Sequence, residues 1–278
     1  MSTIDAVTTR SPLRRAGSAG KYALLIVAAF FTIAPVAWTL ITALTPSNID
    51  TGAIEPGFGA FADVFTKIPV WLYTWNSALV TLLIAVGQML SAAMAGYVFA
   101  RFEFRSKKVL FGLILATMMV PMQVTIVPVF MLVRGMGLAD TLLALIIPML
   151  PTAFGTFLMR QYFMGLPAEL AEAAEIDGAG PWKVFFSIYL PLATPGLAIV
   201  GILAFNYHWN EFFRPLIMTI SEQNFTLPLG LVTLQGNLGS GSVSTVLAGV
   251  ILSMVPALLV FIFGQKPLRE GLTAGAGK

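Results

Sequence analysis

Six stretches of this chain carry no charged side chain and are long enough to cross a bilayer. They are Tyr22–Leu44, Ile68–Ala100, Val109–Val133, Thr141–Met159, Val184–Asn210 and Gln223–Gln265. A spanning helix needs about 20 apolar residues, and in hydrocarbon every backbone N–H and C=O must be satisfied within the protein. Each stretch is therefore expected to hold one helical span, which makes the chain an all-α membrane protein with six transmembrane helices. In the last and longest stretch the span is expected within Val243–Phe263. The piece before it, with Gly230, Gly236, Gly239 and Gly241, reads as loop or short interfacial structure. Only 10% of the 278 residues are charged and 57% are hydrophobic, whereas a soluble domain is about 25% charged.

The first apolar run follows a basic stretch from Arg10 to Lys21. It is longer than the roughly 7–15-residue core of a signal peptide, so it is expected to be retained as the first span. Six spans put both termini on one side, and Lys/Arg bias selects that side. With the N-terminus inside, all of the 16 Lys and Arg residues except Lys67, Arg134 and Arg214 fall on cytoplasmic segments. The reading is N-in, C-in. It comprises a cytoplasmic N-terminal segment (1–21), a transmembrane domain (22–265) with a cytoplasmic loop at 160–183, and a cytoplasmic tail (266–278). Trp38, Trp71, Trp75 and Trp209 lie near the outer ends of spans, where interfacial anchoring is expected.

Breakers fall inside three spans: Pro121 and Pro128 in the third, Pro148, Pro151 and Gly155 in the fourth, and Pro191, Pro195 and Gly196 in the fifth. Broken helices survive in lipid where neighbours satisfy the freed backbone groups, so spans three to five are expected to face the bundle interior. No ionisable residue reads as deep in a span. Ion-coupled carriers keep such residues at mid-membrane, so a self-contained secondary transporter or channel is the alternative reading rather than the first. There is no cysteine and one histidine, which excludes thiolate metal sites and a His cluster. No catalytic or metal-binding residues are expected. No G-x-x-x-x-G-K-[ST] phosphate loop occurs, so an energy source must lie on another chain. His208 reads as an interfacial polar residue, and Arg214 as a cation that a phosphorylated ligand could meet at the outer entrance.

The loop between spans four and five has more order than a linker needs. Pro167 is placed for a first helical residue, and Glu169 suits the positive end of the helix dipole. Ala168 to Ile176 is a strong helix-forming run, Asp177-Gly178 ends it as a turn, and Pro181 opens the next helix. Ala171, Ala174 and Gly178 fall on one face, expected to let a partner protein approach closely, with Glu172 and Glu175 beside it as acceptors for Arg forks.

Glu172-Ala173-Ala174, three residues, Gly178, nine residues, Ile188, one residue, then Leu190-Pro191 resembles the signature loop of ABC-importer permeases. The likeness extends to Trp209-Asn210-Glu211-Phe212-Phe213-Arg214-Pro215-Leu216 and to the tail from Gln265 to Ala276, and runs from about residue 20 to 277. It resembles the carbohydrate-uptake branch, the kind to which the smaller subunit of the maltose permease belongs. The resemblance implies a type I importer permease fold, with the short helix as a coupling helix. Glu172, Ala173, Ala174, Asp177 and Gly178 would dock on an ATPase. It implies a second, homologous permease chain, two ATPase subunits that bind the ATP and Mg, and an extracellular or periplasmic binding protein. The setting would be a bacterial or archaeal cell membrane. Candidate translocation residues are Gln88, Gln123, Thr125, Asn206 and Asn210, polar groups that must face protein or water, with Phe154 and Tyr207 as aromatic platforms. The resemblance makes the Gly-rich segment with Gln235, Gly236, Asn237 and Gly239 a contact for the binding protein.

Overall fold

A computed structural model describes residues 12–46, 56–236 and 242–276, and every regular element among them is helical. In chain order these are α1 (Pro12–Leu44), α2 (Gly59–Lys67), α3 (Val70–Arg101), α4 (Lys107–Thr117), α5 (Met122–Gly135), α6 (Leu142–Ile146), α7 (Ala153–Met164) and α8 (Glu169–Ile176). There follow α9 (Pro181–Val184), α10 (Leu190–Leu192), α11 (Thr194–Trp209), α12 (Phe213–Met218), α13 (Leu227–Val232) and α14 (Val243–Ala276). Four segments are continuous enough to cross a membrane: Lys21–Leu44, Val70–Arg101, Leu142–Met164 and Val243–Gln265. The third and fifth apolar runs are bent pairs, α4 with α5 at 102° and Pro181–Leu192 with α11 at 71°. The six runs thus give four spans, or six when each bent pair is counted as one.

The central element is α3. Its residues enter all three hydrophobic clusters: Tyr73 with Phe205, Trp209 and Leu231; Val80 and Ile84 with Ile126, Leu145 and Met218; Tyr97 with Phe163, Phe185 and Tyr189. Small residues set its closest approach. A Cβ on Gly96 would lie 2.6 Å from Met159 Cβ and 2.8 Å from the Arg160 nitrogen, so α3 and α7 touch nearly backbone to backbone. The third run does not face the interior as expected. No residue of α4 is buried and α5 buries only Ile126 and Val133. Prolines bend a helix, but burial follows the faces that allow close packing, and here those lie on α3, α7 and α11.

At the break in span four, Pro148 lies in a 3-10 turn (Ile147–Met149) and Pro151 precedes α7. The bend leaves carbonyls without helical partners. Gln88 Nε2 donates to the Met149 carbonyl at 2.8 Å and Ser91 Oγ to the Leu150 carbonyl at 2.8 Å, both from one face of α3. Thr152 caps α7 by accepting from the Gly155 nitrogen at 3.1 Å. The fifth run passes Pro191 through a π-helical turn (Phe185–Tyr189), which absorbs the ring that a straight helix would exclude.

Trp209 is not an interfacial anchor. It is 2% exposed, stacks on Phe205, and donates from Nε1 to the Ser253 carbonyl at 2.8 Å, whereas Trp38, Trp71 and Trp75 are exposed. The piece before α14 includes the short helix α13 and is strapped to α3: Asn76 Nδ2 donates to the carbonyls of Gln223 (2.8 Å) and Phe225 (3.0 Å), and Ser77 Oγ accepts from Leu227 N at 2.7 Å. Asp140 closes the same end. Its carboxylate accepts from the nitrogens of Ile220 (2.8 Å) and Ser221 (3.0 Å) and from Ser221 Oγ at 2.5 Å.

Those donors hold the Asp140 carboxyl well below the ordinary carboxylate range, the Ser221 hydroxyl contributing most. A depressed pKa means stability that is present above about pH 4, the unfolded-chain value, and is lost as pH falls below it. Asp140 has a φ of 58°, which Asn tolerates, so Asp140→Asn isolates the charge. Its melting temperature should fall below wild type at neutral pH, with the gap narrowing below about pH 4. Separately, Gly96→Ala should destabilise the protein in detergent unfolding by about 1–3 kcal/mol. Gly112→Ala, where a Cβ meets nothing within 4 Å, should cost nothing.

Candidate functional site

The element between spans four and five is a helix, a tight reversal and a second helix. Glu169 and Glu172 occupy the first turn of α8, which starts at Glu169, two residues after Pro167. Its end is a Schellman motif: Gly178, at φ 79°, donates to the Glu175 carbonyl at 3.0 Å, and Ala179 N donates to the Ala174 carbonyl at 2.9 Å. Glycine reaches this left-handed conformation without a Cβ clash, so the chain reverses there and Pro181 starts α9.

The orientation of α8 corrects the expectation for its small face. Ala171, Ala174 and Ala179 pack inward against the cluster of Tyr97, Phe163, Phe185 and Tyr189 in the same chain. Outward lie Glu172, Ala173, Glu175, Asp177 and Gly178, together with Ile176, which is 86% exposed. Among the described residues the carboxylates of Glu172, Glu175 and Asp177 make no ion pair, while Lys107–Glu103 and Lys67–Asp63 do. The small residues seat the helix on its own bundle, and the acidic side with one apolar tip faces out.

Two arginines fasten this seat. Arg101, at the end of α3, donates from Nη2 to the carbonyls of Phe163 (2.7 Å) and Leu166 (2.6 Å), with its guanidinium 4.6 Å from the Tyr189 ring centroid. Arg160 on α7 donates from Nε to the Phe99 carbonyl at 3.1 Å and lies over Phe111 at 4.4 Å. Spans two, four and five therefore meet at the base of α8.

The candidate translocation residues divide into two groups. Gln88 is occupied at the span-four break. Thr125 Oγ1 bonds its own helix at the Met122 carbonyl, 3.1 Å. Gln123, Phe154, Asn206, Tyr207 and Asn210 are exposed on the single chain. Tyr207 reaches Met122 Sδ (3.9 Å), which brings the exposed face of α11 to the start of α5. Asn210 Nδ2 donates to the Asn206 carbonyl at 2.8 Å, and Asn210 shares a small recess with Gln235 and Ser253. Gly236 is exposed, with φ 65°; Asn237 and Gly239 lie outside the described residues.

An ionisable cluster is buried where α11 ends and α12 begins. Glu211 accepts from Arg214 Nη2, and its Oε2 lies 3.0 Å from His208 Nδ1; the Arg214 side chain is 1% exposed. His208 Nε2 lies 3.2 Å from Gln88 Nε2, near the middle of α3. The apolar run stops at Asn210, so Glu211 and Arg214 read as loop, but packing folds that loop into the bundle. His208 is thus buried rather than interfacial, and Arg214 is neutralised within the protein rather than open at an entrance. His208 lies in the last turn of α11, Glu211 in the connection and Arg214 on α12, so no helical period in the sequence announced the cluster.

These features define a polytopic helical membrane protein with a protruding acidic helix seated on three of its spans. Residues 89–266 match the binding-protein-dependent transport system inner membrane component family, and the chain belongs to that family. It is 34% identical to the arabinooligosaccharides transport system permease protein AraQ of Halalkalibacterium halodurans over 90% of this chain and 92% of that one. It is 34% identical to the lactose transport system permease protein LacG of Rhizobium radiobacter over 93% and 96%. It is also 35% identical to the sn-glycerol-3-phosphate transport system permease protein UgpE of Pectobacterium atrosepticum over 73% of each. A crystal structure of a bacterial ABC transporter that imports the acidic polysaccharide alginate contains a chain of the same fold. Its TM-score is 0.81 at 24% identity, covering 94% of this chain and 99% of that one.

Removing one member of a buried ion pair strands the other charge, at about 3–5 kcal/mol, whereas replacing both with apolar residues is often neutral. Glu211→Ala should therefore lower the melting temperature in detergent sharply, and Glu211→Leu with Arg214→Met should recover most of the loss.

Proposed function

We propose that the chain is one permease half of an ATP-driven, binding-protein-dependent importer, and that α8 is the element through which ATPase subunits move it. The observation that carries this reading is the attachment of α8. Its inner face is packed into the cluster of Tyr97, Phe163 and Tyr189, and Arg101 and Arg160 tie spans two and four beneath it. A displacement applied to its exposed acidic side reaches three spans without a flexible joint. The ATP and Mg belong to the partner subunits, and closure of the ATPase dimer drives the two permease halves between inward- and outward-facing arrangements as rigid bodies. The Lys/Arg bias supports an N-in, C-in orientation with α8 in the cytoplasm and six spans, each bent pair counting as one.

The solute is a sugar or short oligosaccharide. The relatives named for arabinooligosaccharides and lactose support that class, as does the exposed set of Gln123, Asn206, Tyr207 and Asn210, which offers amides and an aromatic face to hydroxyl groups. Neutralisation of Arg214 by Glu211 removes the cation that pointed to a phosphorylated ligand. A second permease chain covers the faces this chain leaves exposed, and Gln235 and Gly236 lie on the side that meets the binding protein.

Glu172→Ala combined with Gly178→Leu removes an acceptor and forces a side chain into the left-handed turn. Uptake of labelled lactose or arabinotriose by cells carrying the whole transporter should fall to background, and the ATPase should no longer co-purify, while membrane insertion is kept. Normal uptake and normal co-purification would refute the docking role.

A further inference from the structure

Where α11 ends, α13 and α14 leave a recess between them. Val246, Val250 and Ser253 recur at i, i+4 and i+7 on one face of α14, and Pro228 and Gln235 line the recess from α13 and the 3-10 turn after it (Thr233–Gln235). Asn210, just past α11, completes a space of about 230 Å³. Sites that enclose a whole ligand run to roughly 300–1,000 Å³, so this one has room for one unit of a longer molecule. Its polar groups are only partly used. Asn210 Nδ2 donates to the carbonyl and side-chain oxygens of Asn206, at 2.8 and 3.4 Å, and Asn210 Oδ1 accepts nothing among the described residues. Ser253 Oγ donates to the Val250 carbonyl at 2.8 Å, which leaves its lone pairs free. The Gln235 amide is exposed and has no side-chain hydrogen bond among the described residues. None of the lining side chains is charged.

We infer that this recess is a subsite for one neutral sugar unit of the solute, filled as the solute leaves the binding protein. It offers acceptors on Asn210, Gln235 and Ser253 but a free donor only on Gln235. A carboxylate or phosphate brings acceptors of its own and meets too few donors there. Sugar hydroxyls both donate and accept: a vicinal pair donates to Asn210 Oδ1 and Ser253 Oγ and accepts from the Gln235 amide, while the C–H face of the ring covers Pro228, Val246 and Val250. The subsite rests on the sugar reading above, and Asn210 joins it to that reading. Asn206 and Tyr207 lie about one turn back along α11, roughly 5 Å, so the unit next to the one in the recess meets them. In the N-in orientation the recess opens at the outer end of α11, on the side from which the solute arrives.

Two measurements test this, both with Gln235→Leu, a change at an exposed side chain that leaves the packing intact. In the first, arabinotriose is added to the full-length chain in nanodiscs, and magnetisation transferred from protein to sugar protons is recorded against empty nanodiscs. Wild type should transfer to the trisaccharide and the variant about three- to tenfold less, the loss of one hydrogen bond. No transfer in wild type, or equal transfer in both, overturns the subsite. The second uses the whole reconstituted transporter with its loaded binding protein and reads arabinotriose delivered per ATP hydrolysed, together with the KM for the loaded binding protein. A sugar that is not caught after release escapes outward, so the variant's ratio should fall about threefold with that KM unchanged. An unchanged ratio with a raised KM makes Gln235 a contact for the binding protein instead and overturns the subsite. If the chain captures no ATPase at all, the importer reading fails, while the nanodisc measurement still decides the recess.

Discussion

A backbone carbonyl in hydrocarbon must find a donor, and that constraint organises the centre of this bundle. The break at Met149–Pro151 would be untenable in lipid on its own. It is stable because Gln88 and Ser91, one turn apart on α3, supply the two missing donors. The unbroken helix serves the broken one. This explains why α3, which has no internal proline, runs through every hydrophobic cluster, and why polar residues sit on a face that composition alone would leave apolar.

The same economy appears at the α8 end. Carbonyls at the end of α7 are taken by Arg101, and the carbonyl of Phe99 by Arg160, so each of the two helices caps the other. Aromatic faces of Tyr189 and Phe111 hold the guanidinium groups in place through cation–π contact. On this base Ala171 and Ala174 of α8 pack against the cluster of Tyr97, Phe163 and Tyr189.

The buried cluster of His208, Glu211 and Arg214 shows the cost of carrying charge indoors. Arg214 Nε and Nη1 and Glu211 Oε1 are buried with no hydrogen-bond partner among the described residues. A pair so incompletely satisfied is a poor source of stability. Glu211 Oε2 and Arg214 Nη2 both lie against His208 Nδ1, at 3.0 and 3.3 Å.

Much of this was legible from one dimension. Apolar runs set the helices, because a bilayer admits few other structures, and the Glu172–Gly178 pattern announced a helix and a left-handed turn, because helix propensity and glycine's freedom at φ 79° are local properties. The prolines marked the bends for the same reason. What lay beyond the sequence was which face each element turns inward. Ala171 and Ala174 read as a docking face, Trp209 as an anchor, Gln88 as part of a path, and Glu211 with Arg214 as loop. Only the packing of distant segments, which decides which polar group meets which freed carbonyl, turned the alanines and the tryptophan inward, tied Gln88 to Met149 and drew the charged pair into the bundle.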